Sequence, residues 1–496
     1  MKKIISFILI FVMIFGCTFL FGCKKDGDSK NDISTFNITE DYVITISENH
    51  SKKELSVAKD IQLAIKMVIK ANLAINDDGK DAAKEIVIGN VEKAELENIG
   101  EKVGEQFGYT VFASGEKIFI YGTDKEYLGF AAEEFIKTYL TSENATLIIP
   151  QNLSIVRSSI NSKPDLTIGG VSIEEFVIVY GDEGATSQIR HSGNWIESGR
   201  YEDVATEFAK ELKLLTGKEL KIVSSRYAKR DHEILIGSSY KRTDEDSYYA
   251  KSHKIEDYSF GLVNGTLLLS GGSSNASYFA GKAFIAACVA MEGNDFSDAP
   301  KTGKATFIKV ACVGDSITDG SNEFNYPTFL QKMLGFNYYV GNYGWSGIRM
   351  TNYFGSSDHT QSCQLKPDVV IMMLGTNDGY YSADYPCDME NASYRTNYKN
   401  CGTNLLKHYR SVNPSVQLYV LTPPSILPNT AWRNGVKKSV EINKELAEEL
   451  NCELIDMYTI SAQGKWSFPD NLHPYRDGYR TFAEAVYENL KDSIVK

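Results

Sequence analysis

The strongest constraint on the fold of this chain is that one segment is written twice. Glu85-Ile86-Val87-Ile88-Gly89-Asn90 recurs as Glu233-Ile234-Leu235-Ile236-Gly237-Ser238. After each copy comes the same succession: an alternating run (Gly108 to Ile120, Asp257 to Leu269), a glycine (Gly122, Gly271), and a helix-like stretch ending at Phe135 or Phe284. Upstream of each lies an amphipathic stretch, Leu55 to Ile69 and Val204 to Leu215, with apolar residues at helical spacing. Self-similarity on this scale implies two small α/β modules, at 40–158 and 172–298, each reading helix, strand, strand, strand, helix. The Ser/Asn/Pro stretch Asn161 to Pro164 joins them.

This pattern resembles the small α/β domain that precedes the catalytic barrel of some hexosaminidases and glucuronidases. The resemblance implies an accessory role near carbohydrate; a packing scaffold without ligand is the alternative reading. Glu133-Glu134 and Glu174-Glu175 are adjacent pairs, whose side chains point in different directions, so neither is a glycosidase acid pair.

The last third reads differently. Phe307 to Val313 and Asp368 to Leu374 are apolar, β-branched runs, each ending at a glycine, as buried parallel strands do. Four blocks stand around them: Gly314-Asp315-Ser316, Asn342-Tyr343-Gly344-Trp345-Ser346-Gly347, Gly375-Thr376-Asn377-Asp378 and Asp470-Asn471-Leu472-His473-Pro474. The first and third lie just past strand carboxyl ends, where open α/β sheets bind ligands. Together they supply a nucleophile (Ser316), a base (His473), an acid to orient it (Asp470) and oxyanion donors (Gly347, Asn377), the set that acyl-ester hydrolysis needs. Taken singly, Asp470 reads equally as a cap, Gly347 and Gly375 as turn glycines and Asn377 as an Asx-turn residue, whereas for Ser316 the alternative, a helix N-cap after a strand, is the weaker reading. Asp315 and Asp378 are expected to hold loop N–H groups.

In that order the blocks resemble the SGNH, or GDSL-type, serine hydrolases, over Ala305 to Lys496. The resemblance implies a three-layer α/β/α domain with a mainly parallel sheet at 305–496. It also implies a Ser316-Asp470-His473 triad and an oxyanion hole made by Ser316 N–H, Gly347 N–H and the Asn377 side chain. No cofactor is implied. No metal is implied either: His50, His191, His232, His253, His359 and His408 lack metal-ligand spacing and are expected at surface or half-buried positions.

The amino terminus carries Lys2-Lys3, an apolar run from Ile4 to Gly22, then Cys23 and a polar stretch. This is the form of an export signal. Leu20-Phe21-Gly22-Cys23 resembles a lipoprotein lipobox, which implies a signal at 1–22, lipidation at Cys23 and a flexible tether at 23–39. An uncleaved membrane anchor is the other reading, and Cys17 is a weaker lipidation candidate. Cys288, Cys312 and Cys452 sit in apolar runs and read as core thiols, whereas Cys387 with Cys401 is the chosen pairing for a disulfide. A net charge of −12 gives no basic footprint for nucleic acid.

The combined expectation is an exported, lipid-anchored esterase at the cell envelope that hydrolyses short acyl esters, acetyl above all, on carbohydrate. Its partners are then an acylated carbohydrate or other small ester and, through the anchor, the membrane. The alternatives are a lipase, lysophospholipase or thioesterase of the same family, or a noncatalytic carbohydrate-binding envelope lipoprotein. Trp345, Tyr380-Tyr381 and Trp466-Ser467-Phe468 flank the blocks as candidate stacking surfaces, pocket walls or core. A chain beginning near Ala305 is expected to retain activity on a small ester.

Overall fold

The computed structural model describes residues 34–494 except 70, 98, 100–102, 104–107, 141–146, 159–162, 182–197, 240, 243–252, 321–323, 381–386, 426–429, 464–467, 469 and 471. The expected export signal, with Cys17 and Cys23, therefore lies outside the described residues, as do His191, Tyr381, Trp466 and Ser467. Two compact units make up the chain, Met1–Ser162 and Lys163–Lys496, and the division falls inside the stretch expected to join the modules.

In the first unit the strands are β1 (Thr35–Ile38), β2 (Val43–Thr45), β3 (Ala74–Asn76), β4 (Glu85–Ile88), β5 (Gly108–Ser114), β6 (Lys117–Gly122), β7 (Leu147–Pro150) and β8 (Ser154–Ser158). Six of them form one sheet in the order β3-β2-β4-β6-β5-β8, with β5 running against both neighbours. The remaining pair corrects the expected tether. Thr35–Ile38 is a strand, because Phe36 and Ile38 alternate into the core while the backbone pairs with Leu147–Pro150.

The second unit opens with β9 (Thr167–Ile168), β10 (Val171–Ser172), β11 (Val177–Tyr180), β12 (Ile222–Ser224), β13 (Glu233–Ile236), β14 (Asp257–Val263), β15 (Thr266–Gly271), β16 (Asp295–Phe296) and β17 (Lys301–Lys304). Its six-stranded sheet is ordered β12-β11-β13-β15-β14-β17, strand for strand the topology of the first. The register repeats too: Glu85 lies opposite Val43, and Glu233 opposite Val177. Gly89 and Gly237, which leave these two strands, both sit at φ +79°, a left-handed turn that glycine adopts without a Cβ penalty. The main sheet of each module thus has six strands among the described residues, rather than the three read from sequence. The missed ones are three to five residues long, too short to show a period.

In the second module, the helices Tyr201–Thr216 and Ser274–Ala290 cover one sheet face, packing Phe208, Leu212, Ala280 and Phe284 onto Ile234, Ile236, Leu267 and Leu269. The next residues along the strands, Leu235 and Leu268, point to the other face. The strand Lys301–Lys304 closes this sheet, so the module runs past the expected end at 298.

The hydrolase sheet follows: β18 (Ile308–Gly314), β19 (Tyr338–Gly344), β20 (Val369–Met373), β21 (Gln417–Leu421) and β22 (Glu453–Ile455), in the order β19-β18-β20-β21-β22. All pairings are parallel. Alternation along the strands builds two cores. Ala311, Val313, Val370 and Met372 pack with Met350, Tyr398, Leu405 and Leu446 on one face. Val310, Cys312, Ile371 and Met373 pack with Tyr326, Leu330, Phe482 and Val486 on the other. This is the expected three-layer α/β/α arrangement, with a fully parallel sheet.

The second module and the hydrolase sheet belong to one unit, and β19 shows how. An edge strand leaves backbone groups unpaired, and they must be covered. Asn275 Nδ2 donates to Phe336 O (2.7 Å) and Tyr338 O (2.8 Å), and Ser198 N–H donates to Val340 O (3.1 Å). Tyr278 stacks on Phe336, and Lys332 pairs with Asp203 at 3.1 Å.

Cys288, Cys312, Cys363, Cys387, Cys401 and Cys452 are all free thiols, which corrects the expected Cys387–Cys401 disulfide. Cys387 donates to Gly379 O, whereas Cys401 lies within the helix Ala392–Val412 beside Thr351 O. Among the described residues no helix is long and apolar enough to cross a membrane.

Candidate active site

In the strand order the chain leaves β18 toward β19 on one side and β20 toward β21 on the other, so the carboxyl ends of the adjacent β18 and β20 form a topological switch point, where open α/β sheets bind ligands. Ser316 follows the first of these strands and Asn377 the second. Ser316 begins the short helix Ser316–Asp319, capped by Asp315, whose Oδ1 accepts from Ile317 N–H at 3.0 Å.

His473 Nε2 lies 2.9 Å from Ser316 Oγ, and His473 Nδ1 lies 2.7 Å from Asp470 Oδ2. The other oxygen, Asp470 Oδ1, accepts from His473 N–H (2.7 Å) and Leu472 N–H (2.9 Å). One carboxylate therefore caps the turn and orients the ring, and the two readings of Asp470 coexist. Burial alone would raise this carboxyl, but hydrogen bonds from the His473 ring and the two N–H groups hold it below the ordinary carboxylate range.

Gly347 is exposed at φ +80°, with nothing within 4 Å of where a Cβ would stand. Glycine is thus required here by the left-handed backbone rather than by crowding. Asn377 Nδ2 donates to Ile348 O at 2.9 Å, which directs its amide toward the Gly347 turn and leaves a second amide hydrogen for a ligand.

The loops are tied down from several sides. Trp345 N–H donates to Gly314 O (2.9 Å) and Ser346 Oγ to Asp319 Oδ2 (2.6 Å), joining the second block to the first. Ser439 Oγ and Asn443 Nδ2 hold Gly375 O and Leu374 O at 2.9 and 3.0 Å. Trp432 Nε1 holds Thr376 O at 3.0 Å, a support that no motif announced. Asp378 accepts from Met350 N–H (3.0 Å) and Tyr394 OH (2.8 Å). Burial pushes the Asp315 and Asp378 carboxyls up to about 6.

Of the flanking aromatics, Trp345 and Phe468 pack partly buried against the cores. Tyr380 is 38% exposed and rests edge-on against Trp432. Sequence reasoning missed Tyr475, 49% exposed two residues beyond His473.

The histidine expectation needs one correction. His359 is buried, and it meets His408 (Nε2 to Nδ1, 3.0 Å) and Cys363, whose Sγ is 3.7 Å from His408 Nδ1. His359 and Cys363 are one helical turn apart in sequence, but only the tertiary fold brings His408 to them.

Residues 312–481 match the GDSL-like Lipase/Acylhydrolase family. An acetylxylan esterase of Xylanibacter ruminicola is 28% identical over 211 residues, which cover 38% of this chain and 44% of that protein. The chain thus spans less than half the length of that relative. Among solved structures, an acetylxylan esterase from Geobacillus stearothermophilus is 25% identical, covering 37% of this chain and 94% of its own, with a TM-score of 0.32. A GDSL-like lipase from Parabacteroides merdae is 20% identical, covering 37% and 95%, with a TM-score of 0.31. The sheet and loops that carry the four blocks thus fall within a GDSL-like lipase/acylhydrolase domain, the domain of a carboxylic ester hydrolase.

Proposed function

We propose that the chain hydrolyses short acyl esters, acetyl above all, on carbohydrate, through an acyl-enzyme on Ser316. The observation that carries this reading is the continuous Ser316–His473–Asp470 chain, with contacts of 2.9 and 2.7 Å. Ser316 Oγ attacks the ester carbonyl and gives its proton to His473 Nε2. Asp470, held ionised, stabilises the imidazolium. Ser316 N–H, Gly347 N–H and the Asn377 amide receive the oxyanion. The tetrahedral intermediate collapses, the leaving alcohol takes the proton from His473, and water, deprotonated by the same ring, releases the acid.

The acetyl-carbohydrate preference draws on the 28% identity to an acetylxylan esterase and on the exposed Tyr380 and Tyr475. Ser316→Ala should lower kcat/KM on a soluble acetyl ester by at least about 10³-fold without loss of fold, and Asp470→Ala by less. Acetyl esters should outpace long-chain ones, and acetate should be released from an acetylated polysaccharide. Substantial turnover by folded Ser316→Ala protein would sink the mechanism; a preference for long chains would favour a lipase.

Export and lipid anchoring at Cys23 are part of the same proposal, supported by Lys2-Lys3, the apolar run to Gly22 and the cysteine after it. Cys23→Ala should leave the precursor unprocessed or release the protein from the membrane fraction. Unchanged processing and anchoring would overturn this part.

A further inference from the structure

We propose that His359, Cys363 and His408 form a zinc site on the hydrolase domain, at the sheet edge opposite Ser316. The helix Ser357–Gln364 carries His359 and Cys363 one turn apart on one face. The helix Ala392–Val412 brings His408 against them. One donor atom from each lies within 4.8 Å of the others.

The spacing fits a single tetrahedral ion. Zn–N bonds of ~2.0–2.1 Å and a Zn–S bond of ~2.3 Å place two nitrogens ~3.3 Å apart and a nitrogen and a sulfur ~3.6 Å apart. The corresponding distances here are 3.0 Å for His359 Nε2 to His408 Nδ1 and 3.7 Å for Cys363 Sγ to His408 Nδ1. Two imidazoles and a thiol are a borderline-soft donor set, which suits zinc over calcium or magnesium. Phe354 packs over His359 and stands edge-on to His408, shielding the cluster on one side.

The hydrogen bonds of the metal-free trio define what binding must change. Gly355 N–H donates to His359 Nδ1 at 2.9 Å, so His359 carries its proton on Nε2 and gives it to His408 Nδ1. Zinc takes the place of that proton. His359 then adopts the Nδ1–H tautomer and releases Gly355 N–H, which lies in an exposed turn where water satisfies it. Cys363 binds as the thiolate, so uptake releases one proton and is favoured by rising pH.

The site's location makes it a clamp between two helices rather than part of the reaction. His408 is little more than one turn from Asn413, whose amide holds Pro367 O at 2.9 Å just ahead of β20. That is the amino edge of the sheet, whereas Ser316 lies beyond its carboxyl edge.

The test uses the full chain, purified without an oligohistidine tag, stripped with chelator and titrated with Zn2+ and separately with Co2+. One equivalent of Zn2+ should be retained after dialysis, the melting temperature should rise, and Co2+ should give a thiolate charge-transfer band in the near ultraviolet. Cys363→Ser should abolish the band and weaken Zn2+ binding by at least about 100-fold, and His408→Gln should weaken it similarly. Both variants should keep kcat/KM on a soluble ester within about twofold, because neither residue touches the Ser316 site. Failure of the folded parent to retain zinc, or stoichiometric binding that survives both substitutions, would overturn the proposal.

Discussion

The two α/β modules share a strand order, a register and a left-handed glycine, yet their charged centres are built differently. In the first, Glu85 is fully buried and meets two lysines, Lys93 (3.2 Å) and Lys117 (2.8 Å), as well as Thr45 Oγ1 (2.8 Å). In the second, the cation on Glu233 is a single arginine, Arg242, through Nε (2.8 Å) and Nη2 (3.0 Å), with both side chains fully buried, and Glu233 Oε1 also accepts from Arg230 N–H (2.9 Å). A planar guanidinium satisfies both carboxylate oxygens in one contact, while ammonium groups act as separate point charges. The modules also differ in attachment: the second covers the β19 edge of the hydrolase sheet, and the first forms a unit of its own. A duplicated fold has thus been given one copy that belongs to the same compact unit as the hydrolase sheet and one that forms a compact unit of its own.

Truncation breaks this comparison most severely. A chain beginning at Lys163 should keep kcat/KM on a small soluble ester, whereas one beginning near Ala305 should aggregate or lose activity by more than about 100-fold, since Phe336 and the β19 edge then lose the contacts of Ser198, Asn275 and Tyr278. This replaces the expectation that the shorter chain suffices. Activity and sedimentation of the two truncated chains check it; a soluble, active chain from Ala305 would mean that the second module is dispensable. If the first module holds polymer near the site, the chain from Lys163 should lose activity selectively on acetylated polysaccharide.

The charged centres should respond next. Arg242→Met leaves Glu233 buried with its cation removed and should cost about 3–5 kcal/mol of unfolding free energy. Lys93→Met leaves Lys117 beside Glu85 and should cost less, about 1–2 kcal/mol. Denaturant titration of the two variants measures the difference, and equal losses would show that the second lysine gives no compensation. Asn275→Ala removes the amide donor to Phe336 O and one of two donors to Tyr338 O, leaving Gln331 Nε2 at 2.7 Å, and should cost about 1–2 kcal/mol in the unit 163–496.

The most gradual effect, spread over a pH range, concerns the buried carboxylate Asp378 near the site, on which Arg349 acts through space rather than by the direct hydrogen bonds that Arg242 makes. Burial raises the Asp378 carboxyl to about 6, against the hydrogen bonds from Met350 N–H and Tyr394 that favour its ionised form. Below pH ~4 both folded and unfolded states hold the proton; between ~4 and ~6 the unfolded state loses it first. Stability due to this group therefore falls as pH rises through that window, by about 2–3 kcal/mol at most. Asp378→Asn should flatten that part of the slope in a pH series of unfolding curves, and an unchanged slope would remove Asp378 as its source.

Legibility followed the length scale of each signal. The runs Phe307 to Val313 and Asp368 to Leu374 announced β18 and β20 because strands buried on both faces are continuously apolar. The Asp470–His473 contact was legible because a separation of three residues forces proximity. Strands such as Val43–Thr45 and Ile222–Ser224 were not, because three residues hold no measurable period. Trp432 and Tyr475 escaped because neither stands in a block; each reaches its place through a helix or turn defined elsewhere in the fold.

By itself the sequence determined the doubled module, the two central strands of the hydrolase sheet and the residues of the four blocks, since all of these rest on local pattern or short spacing. Only the tertiary structure decided that Ser316 and His473, 157 positions apart, stand 2.9 Å from each other. It also decided that His408 joins His359 and Cys363, that Cys387 and Cys401 stay apart, and that the second module covers β19. Such contacts depend on strand order and helix packing, which many sequences satisfy equally well and no local period records.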